Sequence, residues 1–379
     1  MSVLDPYMES QKKIKFVLIG GFLGAGKTTL IGELARRYTS QGLRVGIITN
    51  DQAADLVDTQ NLRSQGFDVG EVAGACFCCS FNELVDTADG IIERELPDVL
   101  LAEPVGSCTD LVATVILPLQ ERLGDRFELA PFGVLLKPRH ALRLLSEKSS
   151  GKRSGFSPQA EYIFNKQLEE ADYVLVSRAD QLTSAEIESL ETLLASAAPD
   201  VPVIAISAPK GQGIDAVLEC IATPSIAGRR LLDIDYDIYA AGEAELGWVN
   251  LSAHLCNLTE SIDLDQLAAR LVGDVASNVI TAGGEIAHVK VSILGGDCQA
   301  VANVVSNDSS VDVGLAANRS VSSDLQLVVN ARVAIDPGQL ESICKDSVSR
   351  ISLSLKGKLN GMISHSLRPG RPQPTYRHR

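Results

Sequence analysis

The chain has 379 residues, 45% apolar and 22% charged, which suits about two globular domains with sizeable cores and argues against a disordered chain. Its 34 basic and 48 acidic residues leave a net charge of −14, so the molecule repels polyanions, which argues against a nucleic-acid or anionic-membrane binder. The opening MSVLDPYMESQKKIK lacks an apolar export core and no run approaches about 18 apolar residues. A cytoplasmic location is therefore expected, where the eight cysteines serve metal or redox chemistry more often than disulfides.

In chain order, the runs IKFVLI, RVGIITN, DVLLAE, FGVLLK, YVLVS and VPVIAIS alternate with helical patterns between Ile14 and Ile206. Continuous apolar strands separated by helices require a parallel sheet covered on both faces, so the fold expected is doubly wound α/β. The first helix carries Leu30, Ile31, Leu34, Ala35 and Tyr38 on one face, and a later one opens with Thr183 and Glu186 at capping-box spacing. The stretch Ser149 to Pro158, SSGKRSGFSP, reads as a surface loop.

Residues 12–223 are thus expected to form one domain, 224–245 a linker, and 246–357 a smaller α+β domain. In the second unit strands are expected around Gly247–Leu255, His288–Leu294, Gln299–Val305 and Leu325–Ile335, with a helix around Leu264–Ile280. A last helix starts from Asp336 as cap and Pro337 at its first position. Residues 358–379, ending in RPGRPQPTYRHR, read as a solvated basic tail.

The strand IKFVLI runs directly into GGFLGAGKTTL, where Gly21, Gly26, Lys27 and Thr28 complete a G-x-x-x-x-G-K-[ST] phosphate loop between a strand and a helix. Backbone N–H groups of Gly24, Ala25, Gly26 and Thr29 close around phosphates in such a loop, Lys27 reaches the β and γ oxygens, and Thr28 ligates Mg²⁺. A nucleoside triphosphate is the expected ligand. At the end of DVLLAE, Glu103 in EPVG can hold Mg²⁺ through water, and Gly106 can pivot toward a γ-phosphate. Asp180, after Ser177 and Arg178, offers a carboxylate to N1–H and the 2-amino group of guanine, and the backbone N–H of Ala208 can meet guanine O6. Adenine lacks that pair of donors, so GTP is favoured over ATP.

GACFCCS places Cys76, Cys78 and Cys79 just before a helix opened by Ser80 and Glu83 at capping-box spacing. A helix N-terminus lowers thiol pKa and favours the thiolate, a soft ligand for Zn²⁺ and related transition metals. Three protein ligands leave a fourth place for water, for a client's ligand, or for Cys108 just past EPVG. Metal binding comes first here, with disulfide chemistry and buried structural cysteines as alternatives. Cys220, Cys256, Cys298 and Cys344 are scattered among apolar residues, where burial is the default.

In GFLGAGKTTL, GACFCCS, LLAEPVG and ADYVLVSRADQL, taken in that order, the sequence resembles the CobW-type branch of the P-loop GTPases over roughly Ile14 to Ile221. The stretch ITNDQAADLVD, with Asn50, Asp51 and Asp58, resembles the urease nickel-insertion GTPases of the same class. The resemblance implies slow, Mg²⁺-dependent GTP hydrolysis coupled to handling of Zn²⁺, Co²⁺ or Ni²⁺. Cys76, Cys78 and Cys79 then form the metal site, Asp51 joins Lys27, Thr28 and Glu103 in the catalytic set, and a client metalloprotein is the partner. A nucleotide-dependent homodimer also fits that reading. Two departures stand out: the guanine motif, usually Asn-Lys-x-Asp, reads Ser177-Arg178-Ala179-Asp180, and Lys137 stands where many relatives carry an acid. Two other classes of function compete, a phosphotransferase with structural thiols and a regulatory module that selects a partner through its C-terminal sheet.

Overall fold

The computed structural model describes residues 12–51, 57–73, 76–150, 157–223, 230–258 and 260–378. The first sheet contains β1 (Ile14–Gly21), β2 (Val45–Asp51), β3 (Asp68–Ala73), β4 (Val99–Glu103), β5 (Phe127–Leu129), β6 (Gly133–Leu136), β7 (Tyr173–Val176) and β8 (Val203–Ala205). Its order is β3-β2-β4-β1-β6-β7-β8, with β5 beside the first half of β1, and every pairing is parallel. The helices between them are α1 (Lys27–Ser40), α2 (Val57–Ser64), α3 (Phe81–Glu95), α4 (Leu117–Leu123), α5 (Pro138–Ser150), α6 (Pro158–Glu170), α7 (Ser184–Ala197), α8 (Ile214–Ala222) and α9 (Tyr236–Ala244).

The period-2 alternation of a strand explains how one sheet supports two cores. On β1, Val17 and Ile19 point to the α1 and α8 side with Leu34 and Val217, whereas Phe16 and Leu18 point to the α3 and α6 side with Leu84 and Phe164. Such a sheet is doubly wound, and all its parallel strands send their carboxyl ends to one rim. That rim is where a ligand finds loops and helix N-termini.

The second sheet is antiparallel, ordered β13-β12-β11-β15-β9-β16. Its strands are β9 (Gly247–Cys256), β11 (Glu285–Gly295), β12 (Cys298–Val304), β13 (Asp312–Leu315), β15 (Leu325–Ala334) and β16 (Lys358–Leu367), with the short pair β10 (Ile262–Asp263) and β14 (Ser320–Val321) apart. Helices α10 (Leu264–Thr281) and α11 (Pro337–Ser354) cover one face, where Val289, Val291, Val329 and Ala331 are buried against Leu271 and Val348. Asp336 caps α11, its carboxylate accepting from the N–H groups of Gly338 and Gln339. The opposite face, with His288, Lys290, Asn330 and Arg332, fronts the rim of the first sheet. Among the described residues no helix is long and apolar enough to cross a membrane.

Several expectations change. Within the supposed linker, Asp235 accepts from the N–H groups of Asp237 and Ile238 and starts α9, which packs on α6 with Tyr239 and Glu243 buried. Residues 224–229 lie outside the described residues, as does most of the loop expected at Ser149–Pro158. The tail is not free either: its first part is β16, which fills the open edge of β9, since an unpaired strand edge demands backbone partners. Edge strand β3 and the short β5 were not anticipated, because neither has a long apolar run. The Thr183–Glu186 capping box forms. Ser80 precedes α3 without bonding its N–H groups, because its own N–H closes the preceding turn onto the Cys76 carbonyl and its backbone is not extended.

Candidate nucleotide and metal site

The phosphate loop takes its shape from positions only glycine tolerates. A Cβ on Gly21, which has φ +132°, would sit 2.2 Å from the Leu135 carbonyl oxygen on β6, and Gly26 adopts φ +100° at the entrance of α1. Lys27 is buried, folding back to donate to the Gly21 carbonyl at 3.0 Å, and burial lowers its pKa. Thr28 Oγ1 donates to Asp58 Oδ1 at 2.7 Å and stands 3.1 Å from Glu103 Oε1. Burial and the Asp58 charge push the Glu103 carboxyl up to about 7, against the pull of Lys27. At Asp58 burial also pushes upward, but the Lys290 ammonium, in contact with it, holds the carboxyl at about 2.

These groups open on one cavity of about 390 Å³. Gly24, Ala25, Gly26, Lys27, Thr28, Thr29, Glu103, Gly106, Ser177, Arg178, Asp180 and Ala208 line it, so of the expected nucleotide residues only Gly21 stands behind the wall. Asp51 ends β2, but its side chain lies outside the described residues; Asp58, at the start of α2, is the acid that reaches Thr28. A hydroxyl and two carboxylates are the hard oxygen set that Mg²⁺ prefers, and Glu103 Oε2 is buried without a hydrogen-bond partner, as a ligand oxygen awaiting a cation or its water would be. The residues present therefore fit Mg²⁺.

At the far end, Asp180 contacts Lys210 at 3.0 Å, and hydrogen bonding from Ser207 with the Lys210 charge holds its carboxyl below the ordinary range. Arg178 adopts φ +56° and reaches Asp312 on β13 at 3.5 Å, both residues lining the cavity. Ser177 Oγ is buried with no hydrogen-bond partner.

The thiols lie one loop away. Cys79 and Ser80 donate their N–H groups to the Cys76 carbonyl, both at 2.9 Å, and this tight turn gathers the sulfurs: Cys76 to Cys78 is 2.9 Å, Cys76 to Cys79 3.4 Å, and Cys78 to Cys79 3.7 Å. A tetrahedral Zn²⁺ with bonds of about 2.3 Å needs sulfurs about 3.8 Å apart, a spacing that Cys78 and Cys79 nearly have and that Cys76 reaches by moving outward by up to about 0.9 Å. Not all thiols are acidified as their place before a helix suggests. Hydrogen bonds from Cys108, Cys78 and Cys79 drive Cys76 well below the ordinary thiol range, whereas sharing with that thiolate and burial raise Cys78 and Cys108, and Cys79 rises to about 11.

The two places are joined by Asn50, which borders the nucleotide cavity, accepts the Phe77 N–H at 2.9 Å and donates to the Val72 carbonyl at 3.0 Å. Near Cys108, Glu243 accepts from Ser107 Oγ at 2.6 Å, and burial first of all pushes its carboxyl up to about 8.

Residues 15–205 match the sequence profile described as "CobW/HypB/UreG, nucleotide-binding domain". The chain belongs to the CobW/HypB/UreG family. The zinc chaperone CobW of Pseudomonas aeruginosa is 27% identical over 226 residues, 52% of this chain and 56% of that protein. The zinc chaperone CobW of a Sinorhizobium species is 35% identical over 105 residues, 26% of this chain and 29% of that protein. The chain thus spans about half or less of the length of these curated relatives. The Zn(II)-bound YjiA GTPase from Escherichia coli aligns over 88% of this chain and 98% of its own at 15% identity and a TM-score of 0.38.

In this CobW/HypB/UreG chain the C-terminal sheet contributes groups that the sequence reading missed. Lys290 contacts Asp58, and Asn330 Oδ1 accepts the Val57 N–H at 3.1 Å, so α2 is held from the second sheet. Lys137, the departure noted on β6's continuation, donates to the Val305 carbonyl at 3.1 Å and so ties the two sheets; burial, with Arg178 and Arg139 nearby, lowers its pKa to about 7. The signal was the alternation in HVKVSILG: the apolar set serves α10 and α11, which leaves His288 and Lys290 to face something polar.

Proposed function

We propose that the protein binds Mg²⁺·GTP, hydrolyses it slowly, and couples its nucleotide state to a transition metal, Zn²⁺ foremost and Co²⁺ or Ni²⁺ as alternatives, held by Cys76, Cys78 and Cys79 for delivery to a client metalloprotein. The observation that carries this reading is Asn50, one side chain that borders the nucleotide cavity and suspends the thiol loop. Lys27 turns from the Gly21 carbonyl toward phosphate oxygens, and the loop N–H groups cradle them. Thr28, Asp58 and Glu103 would hold Mg²⁺, which supplies charge neutralisation at the β and γ oxygens. Asp51 keeps its proposed place in the first switch, and Asp180 reads guanine with Ala208. A cluster of free thiols needs a reducing compartment such as the cytoplasm. A nucleotide-dependent homodimer belongs to the same proposal.

Competitive Zn²⁺ and Co²⁺ titration of reduced protein, nucleotide-free, with Mg²⁺·GDP and with a non-hydrolysable Mg²⁺·GTP analogue, tests it. Affinity that depends on nucleotide and disappears when the three cysteines become serine supports the carrier. Weak binding indifferent to nucleotide overturns it.

A further inference from the structure

The segment after β16 crosses back to the first domain and ends on the thiol loop. Gln373 donates its N–H to Cys79 Sγ at 3.3 Å, Thr375 its N–H to the Cys78 carbonyl at 2.8 Å, and Thr375 Oγ1 bonds the Cys79 carbonyl at 2.9 Å. Pro372 and Pro374 have no N–H, so both backbone donors of residues 372–375 are engaged on the thiol loop. Proline also fixes this stretch as extended chain in advance, which lowers the entropy lost on docking.

Beyond it the anchors are side chains. Tyr376 packs edge-on against Phe81 with ring centroids 5.2 Å apart, and the Arg122 guanidinium lies 3.9 Å from the Tyr376 centroid. Arg377 pairs with Asp110 at 2.7 Å; the Asp110 side chain is 1% exposed and also accepts from Tyr236 OH at 2.7 Å. Asp110 follows Cys108 and the EPVG turn, so the segment touches both the thiol loop and the stretch downstream of Glu103.

We propose that residues 372–378 form a detachable seal over the thiol cluster, and that metal enters and leaves when this seal lifts. The inference rests on reading the cluster as a metal site. The segment is irregular chain in which Gln373, Thr375 and Arg377 remain open to solvent, and it adds no strand or helix to either sheet. Its grip is a set of separate polar contacts, which also include the His378 N–H on the Ala113 carbonyl at 3.0 Å and Arg377 on the Leu232 carbonyl at 2.9 Å, and one ring, with no ladder or helix to make them cooperative, the kind of structure that opens locally without unfolding the domain. Docked, it shields the sulfurs and gives Cys79 a backbone donor of the sort that steadies a thiolate. Lifted, it leaves the Cys78 and Cys79 carbonyls without these donors and the Asp110 carboxylate with Tyr236 OH but no cation, a surface suited to an extended partner segment that brings an arginine.

The test uses the full reduced chain and the variants Arg377→Ala and Thr375→Pro, the second removing the hydroxyl and the N–H directed at Cys78 and setting a proline ring against that carbonyl. Alkylation of Cys79 by N-ethylmaleimide is followed by peptide mass mapping, with half-buried Cys298 of the second sheet as the internal reference. Transfer of bound Zn²⁺ to a chromogenic chelator is timed in parallel. The seal predicts Cys79 alkylation about tenfold or more faster in both variants, Cys298 unchanged, and Zn²⁺ surrendered faster at unaltered stoichiometry. Equal Cys79 rates in wild type and in the variant whose Cys298 rate is unchanged overturn it. Faster alkylation in a protein that takes up no Zn²⁺ keeps the seal and removes the metal reading; Zn²⁺ uptake with unchanged rates does the reverse.

Discussion

Asn50 Oδ1 accepts the Phe77 N–H at 2.9 Å, so the residue between Cys76 and Cys78 hangs from a side chain on the wall of the nucleotide cavity. On the proposed function, a shift of the end of β2 on binding phosphates and Mg²⁺ would be passed to the sulfurs through this bond. Linkage requires the effect to run equally in both directions, and coupling of this kind is typically about 1–3 kcal/mol, or about 5- to 150-fold in affinity. Asn50→Ala leaves the buried Phe77 N–H without its acceptor, at a cost of about 1–3 kcal/mol of stability. The variant is expected to bind Zn²⁺ with one affinity in all nucleotide states, while Asn50→Asp, which keeps the acceptor, retains part of the difference. Calorimetric Zn²⁺ titration with GDP and with the GTP analogue measures both.

The Lys290–Asp58 contact sets an acid limit on stability. The folded Asp58 carboxyl is held at about 2, below its ordinary 3.8, so its contribution is present above about pH 4 and is lost as pH falls toward 2. Lys290→Met removes the cation and leaves a half-buried carboxylate unpaired. The expected loss is about 1–2 kcal/mol near neutral pH, shrinking in acid as Asp58 takes up a proton. Urea unfolding of both proteins across that range checks it, and a deficit equal at every pH would show that the pair is not the cause.

Much of this could be read before any coordinates. The phosphate loop, the thiol turn and the Glu103 turn each need local sequence geometry, a strand entering a glycine turn or three cysteines before a helix, and such geometry is written in consecutive residues. What escaped notice is held by partners far apart in the chain. Lys290 next to Asp58 depends on how the second sheet is set against the first, and Arg377 next to Asp110 depends on a chain reversal after β16. A run of prolines and arginines looks solvated until a buried carboxylate awaits it. The helix of residues 236–244 was hidden because its polar residues, Glu243 among them, face a buried hydrogen-bond network instead of solvent.

Glu103 titrates in the opposite sense to Asp58. Its folded carboxyl is raised from 4.5 to about 7, chiefly by burial, so the stabilising contribution is complete below about pH 4.5 and is lost as pH rises through 7. Glu103→Gln keeps the shape without the charge. In nucleotide-free protein it should raise the melting temperature near pH 8 and change little near pH 4.5, while Mg²⁺-dependent triphosphate binding falls. Differential scanning calorimetry across that window, with analogue binding alongside, decides between this account and one in which Glu103 is a structural acid only.

On the proposed function, base selection rests on Asp180. A carboxylate accepts both the N1–H and the 2-amino group of guanine, and hydrogen bonds to a charged group contribute about 1.5–3 kcal/mol each. Ser177 has no amide to add a contact and Arg178 reaches toward Asp312, so this carboxylate carries more of the selectivity than it would beside Asn-Lys. Asp180→Asn puts an amide N–H where the 2-amino group must donate, a clash of two donors that a base with a carbonyl oxygen at that position avoids. The variant is expected to lose about 10- to 100-fold in GDP affinity and to gain affinity for XDP, whose base carries that oxygen. Lys210, 3.0 Å from the carboxylate, must swing aside for guanine to enter, so Lys210→Ala should bind GDP at least as well as wild type. Fluorescence competition with GDP, XDP and ADP reads all three, and an ADP affinity equal to that for GDP in the wild type would rule out guanine recognition by Asp180.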